Sequence, residues 1–86
     1  MDYPILTPQQ LSSHLRALRK AKGLTQEQLG IKLGLNQARI GKIERHPEQV
    51  SISQLLTILS LLGARLIIST EHHRRPPSTS PNLPEW

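Results

Sequence analysis

Residues 24–44 read LTQEQLGIKLGLNQARIGKIE, and the punctuation of this stretch decides the fold. Leu24-Thr25-Gln26-Glu27-Gln28-Leu29 has the layout of a helix start. The Thr25 hydroxyl can accept a backbone N–H, Gln28 can reach back to the cap, and Leu24 can pack on Leu29. Gly34 then follows an apolar-periodic run, where a left-handed cap residue favours glycine. Leu35-Asn36-Gln37-Ala38-Arg39-Ile40 opens a second helix with Asn36 at its cap. The spacing predicts helices over 26–33 and 37–45, joined by a tight glycine turn. Leu29, Leu33, Leu35, Ile40 and Ile43 are the expected packing positions, and Gly30 sits where the two helices must approach.

The same grammar recurs outside the stretch. Leu6-Thr7-Pro8-Gln9-Gln10-Leu11 adds proline at the first helical position, and Val50-Ser51-Ile52-Ser53-Gln54-Leu55 repeats the cap with Gln at its third position. With Gly23 and Gly63 as further stops, helices are predicted over 8–21 and 52–62. The first places Leu11, Leu15 and Leu18 on one face and Arg16, Arg19 and Lys20 on another. The last is apolar around most of its girth, so two packing partners are expected, the core and a second copy of the chain. Arg65-Leu66-Ile67-Ile68-Ser69-Thr70 favours a strand. Residues 3–6 would pair poorly with it, because Pro4 lacks a donor. Antiparallel pairing with a second copy, through Leu66, Ile67 and Ile68, satisfies its backbone more simply. The expected fold is mainly α: four helices plus one C-terminal strand that forms an intermolecular two-stranded sheet in a homodimer. Residues 1–70 form that domain and residues 71–86, rich in proline and poor in apolar groups, a flexible tail.

Composition bounds what such a domain does. The chain has 86 residues, no cysteine, and a formal net charge of +5. It is one small domain with an aliphatic core and no disulfide or thiolate metal site, for which dimerisation is a source of stability. Residues 16–45 hold eight bases and two acids, leaving a local +6 that suits a polyanion such as DNA. No apolar run approaches the roughly 20 residues that span a bilayer, so no membrane contact is expected. The start, Met1-Asp2-Tyr3-Pro4, has no signal-peptide character, which points to the cytoplasm. An enzyme is disfavoured: Asp2 is the sole aspartate, and no nucleophile–base pair or carboxylate dyad is evident. His14, His46, His72 and His73 lack metal-ligand spacing, so neither metal nor cofactor is expected.

The second helix of the motif departs from the others. Arg39 stands where the other three helix starts carry Gln, so a reciprocal cap is missing and a cation opposes the helix dipole by about a few tenths of a kcal/mol. Gly41 costs roughly 1 kcal/mol relative to Ala in a helix interior. Local stability is conceded twice on one helix, as at a surface that serves recognition. Gln37 suits adenine, Arg39 or Lys42 suits guanine, and Ala38 suits a thymine methyl. Gly41 would admit the backbone close to the groove. Base reading is therefore assigned to Asn36, Gln37, Ala38, Arg39, Gly41 and Lys42, and phosphate contact to Gln26, Arg16, Arg19, Lys32 and Arg45. Glu44 is expected to pair with a nearby arginine.

These residues resemble the helix-turn-helix of the lambda-repressor-like (Xre) family over roughly residues 11–62. A closer resemblance is to the HipB-type antitoxins. It rests on Gln37, Ala38, Ile40 and Glu44, the aliphatic strand, the tail, and its ending Asn82-Leu83-Pro84-Glu85-Trp86. The resemblance implies a dimer that represses its own operon at an inverted-repeat DNA operator. It also implies binding of a HipA-type serine/threonine kinase toxin, with Trp86 as a contact. Gly41, where a polar side chain is more usual, and Pro84 depart from the pattern. Alternatives are a stand-alone Xre regulator with no toxin and a protein-only adaptor.

Overall fold

The computed structural model describes residues 2–70. They form α1 (Pro8–Ala21), α2 (Gln26–Leu33), α3 (Gln37–Arg45) and α4 (Ile52–Leu61), with a 3-10 turn at Pro47–Gln49 before α4. The first three helices have the predicted limits. The fourth stops at Leu61, one residue short, and the 3-10 turn is an addition to the sequence reading. The expected tail, with His72, His73 and Trp86, lies outside the described residues.

Capping explains the helix starts. Thr7 accepts the Gln10 amide while Gln10 returns to the cap, and Thr25 and Gln28 close the same ring at 3.0 and 2.9 Å. Asn36 Oδ1 accepts the Arg39 amide at 2.8 Å, with no return bond because arginine has no acceptor. The reciprocal cap expected at Ser51 and Gln54 is only half made. Ser51 accepts the Gln54 amide at 3.1 Å, but the Gln54 carboxamide oxygen turns to α3 and accepts from Arg39 Nη2 at 3.3 Å.

The turn between α2 and α3 is fixed by backbone. Gly34 has φ +74°, and the Leu35 amide donates to the Gly30 carbonyl at 2.8 Å. A Cβ on Gly30 would run into the Leu35 carbonyl oxygen and lie 3.4 Å from Ile40 Cγ1. Gly30 therefore lets the turn fold back onto its own helix as well as admitting α3.

The core is aliphatic, as expected. Leu15 of α1, Leu29 of α2, Ile40 and Ile43 of α3, and Leu55, Ile58, Leu59 and Leu62 in and after α4 pack together. Burying such side chains contributes about 1.5–3 kcal/mol each. One side of α4 faces this core, and the other leaves Ile52 and Leu56 61% and 42% exposed. The strand expected at 65–70 is not formed within one chain. No described residue pairs with it, and Leu66, Ile67 and Ile68 stand 52%, 53% and 85% exposed. The physical reason is that a strand exists only through a ladder to another strand, and the described residues supply none.

Two glycines should respond oppositely to substitution. Gly30→Ala should destabilise by about 1–3 kcal/mol, because a backbone carbonyl in a closed turn cannot yield. A Cβ on Gly41 would meet only the side-chain ends of Arg45, at 3.3 Å, and Gln26, at 3.6 Å. Gly41→Ala should therefore gain up to roughly 1 kcal/mol of helix propensity. Paired denaturant titrations read both signs, and equal behaviour of the two variants would refute the distinction.

Candidate nucleic-acid interface

A charged pair in the interior sets the position of α3. Glu44, 2% exposed, is reached by Arg19 of α1, 8% exposed. Arg19 Nε donates to Glu44 Oε2 at 2.6 Å and Nη2 donates to Oε1 at 3.3 Å. Arg19 Nη1 donates to the Leu24 carbonyl at 2.9 Å, which ties in the entry to α2. Ser12 Oγ, also on α1, donates to the backbone carbonyl of Glu44. No buried side-chain polar atom of the described residues is left without a partner.

The network runs on to the surface. Gln26, the first residue of α2, donates from Nε2 to Glu44 Oε1 at 3.1 Å. Its own Oε1 faces Gln37 Nε2, on the first residue of α3, at 3.5 Å. A chain of polar contacts thus leads from Arg19 through Glu44 and Gln26 to Gln37. Each amide has one donor end and one acceptor end, so the contact made by one end orients the other. Gln37 remains exposed, and it shares a shallow surface concavity with Gln26, Thr25 and Lys20. The Thr25 hydroxyl serves the Gln28 amide, so the Gln26 and Glu27 amides at the helix start remain suited to an anion.

Arg19 must be withdrawn from the phosphate-contact residues. Its guanidinium is buried and its donors point at Glu44 and Leu24. The sequence carried a signal for this. Arg19 follows Leu15 by four residues and Glu44 follows Ile40 by four, so each continues an apolar face. Glu44 does pair with an arginine, as expected of it. Gly41 also needs correction. It is buried beneath Gln26 and Arg45 instead of opening the backbone to a groove, so its small size admits those side chains.

The other named residues divide by face. Asn36, Gln37, Ala38, Arg39, Lys42 and Arg45 are exposed, as is Lys32, while Arg16 and Gln26 are half-buried. At about 100° per residue, Gln37, Ala38, Gly41, Lys42 and Arg45 fall on one side of α3. Arg39 falls on the opposite flank, toward α4, where it meets Gln54. Since Arg19 and Glu44 cancel, the remaining seven bases of residues 16–45 face one acid, Glu27. Sequence reasoning missed Ser12 and Gln54, whose partners come from elements far along the chain.

Residues 10–66 match the family described as a helix-turn-helix domain. The chain is 29% identical over 82 residues to antitoxin HipB of Escherichia coli (strain K12), covering 95% of this chain and 93% of that protein. Antitoxin HipB of Escherichia coli O6:H1 is 28% identical, with 95% and 87% covered. Among solved structures, a HipB–O1–O2 complex aligns with a TM-score of 0.70 at 28% identity, covering 80% of this chain and 100% of that one. A HipA–HipB–O2–O3 complex aligns at 0.71 and 27% identity, covering 83% and 100%.

The buried pair yields a stability prediction. Glu44→Ala strands the Arg19 charge in the interior and should cost about 3–5 kcal/mol. Thermal unfolding checks it; a loss below 1 kcal/mol, the scale of an exposed pair, would show that the two charges are effectively solvated.

Proposed function

We propose that this chain, which belongs to the helix-turn-helix domain family, is a dimeric, sequence-specific DNA-binding repressor and the antitoxin of a HipA-like serine/threonine kinase toxin. The observation that carries the DNA reading is the meeting of Gln26 and Gln37 at an exposed, basic edge, held from beneath by Glu44. Gln37, Ala38 and Lys42 face base edges, with Asn36 at the rim. Gln26, Arg16, Lys32 and Arg45 meet phosphates. The antitoxin half of the reading draws its support from the HipB relatives and from the assembly of one of them with HipA.

The dimer is part of the same proposal. The open face of α4 and Leu66, Ile67 and Ile68 are apolar and exposed. A two-stranded sheet at 65–70, formed between two copies, would bury them and close the backbone ladder that one chain leaves open. In this arrangement residues 1–70 are the DNA-binding and dimerisation unit, and residues 71–86 carry Trp86 to the kinase. No helix of the described residues is long and apolar enough to cross a membrane. The placement that goes with this reading is cytoplasmic.

Duplex binding tests the division of labour. Gln37→Ala should cost about 1–3 kcal/mol on the preferred duplex and relax one base position. Arg16→Ala should weaken all duplexes alike and reduce the salt slope by about 0.9. Ile68→Glu should give a monomer by light scattering. If Gln37→Ala leaves sequence preference intact, the orientation proposed for α3 is wrong. Recovery of a co-expressed HipA-type kinase with the full chain separates an antitoxin from a stand-alone regulator, which would recover none.

A further inference from the structure

Two helix starts leave their third-position side chain out of the cap, and those two side chains meet. Gln10 and Gln28 return to their own caps, but Arg39 has no acceptor to return and Gln54 turns away from Ser51. Gln54 Oε1 instead accepts from Arg39 Nη2 at 3.3 Å, across the gap between α4 and α3. The partner is a neutral amide, so the arginine is held without losing its charge. Among the described residues one of its five N–H donors is used, which leaves four for a ligand. Arg39 also stands on the flank of α3 opposite Gln37, about 160° away around the helix. On the DNA-binding reading above, a duplex bound to Gln37 and Ala38 would present its sugar–phosphate rim along that flank.

We infer that Gln54 is a positioning residue that holds Arg39 as a clamp on the DNA backbone, and that Arg39 reads no base. This rests on the DNA-binding reading above and reassigns one residue within it. A planar guanidinium aimed by a second contact matches a phosphate better than a free one. A backbone contact contributes affinity without sequence information.

The experiment uses the full-length protein, a duplex that it selects from a randomised pool, and a scrambled duplex. Arg39→Ala should weaken both duplexes by the same factor, about tenfold, and lower the salt slope by about 0.9. Gln54→Ala should weaken both about threefold. In the Arg39→Ala background it should have no further effect. Gln54→Glu should pair with Arg39 and lower the salt slope without lowering the unfolding temperature, a result that lost folding would not give. A changed base preference in Arg39→Ala, or a Gln54→Ala effect that persists without Arg39, would overturn the assignment. Failure of the wild-type protein to enrich any duplex is a separate result and would sink the DNA reading itself.

Discussion

Glu44 carries a carboxylate into an interior that is otherwise almost wholly aliphatic, and the arrangement of the first three helices follows from how that charge is satisfied. Removing an ion from water costs several kcal/mol, so the position is tolerated only with close partners. Arg19 supplies two bonds from α1 and spends a third donor on the Leu24 carbonyl before α2. Gln26 supplies another from the first turn of α2. One side chain of α3 is thereby bonded to side chains of both neighbouring helices. Aliphatic packing of Leu15, Leu29 and Ile40 brings these helices together, but it is non-directional. The polar network fixes which way α3 faces, and so which residues reach the surface beside Gln26.

The helix starts divide by task along the same lines. The first turns of α1 and α2 have closed reciprocal caps, and these are the helices that brace. The third-position side chains of α3 and α4 are free of their own caps, and both lie toward the exposed edge of α3. Gly41 belongs to the same pattern. Its missing Cβ leaves room for Gln26 and Arg45 to lie over the helix, so a local loss of helix propensity serves the placement of two polar side chains.

Most of the helical fold was legible because its signals are local. Thr7, Thr25, Asn36 and Ser51 name the helix starts through bonds made within three residues, and Gly34 names the turn through its own φ. The half-made cap at Ser51 was not legible, because its competitor, Arg39, lies fifteen residues away in sequence. Arg19 was misassigned because residue type suggested the surface while helical position indicated the core. The strand expected at 65–70 has no partner among the described residues, so one folded copy supplies no ladder for it. Of the proposed site, the start of α3 at Gln37 and the exposure of that residue were readable. The polar chain that orients Gln37 was not, because it joins residues from α1, α2 and α3.

On the function proposed above, the buried pair aims the edge that carries Gln37 and does more than hold the fold. Replacing both charges with apolar residues of similar volume separates the two roles, since such double replacements are often neutral or stabilising. The measurement is base preference, by selection from a randomised duplex pool, for wild type and for the Arg19→Met, Glu44→Leu double variant. The expected result is an unfolding temperature near or above wild type with a relaxed preference at the base position that Gln37→Ala also relaxes. A double variant that folds and keeps the full wild-type preference would contradict the claim, because Gln26 and Gln37 would then be oriented without Glu44.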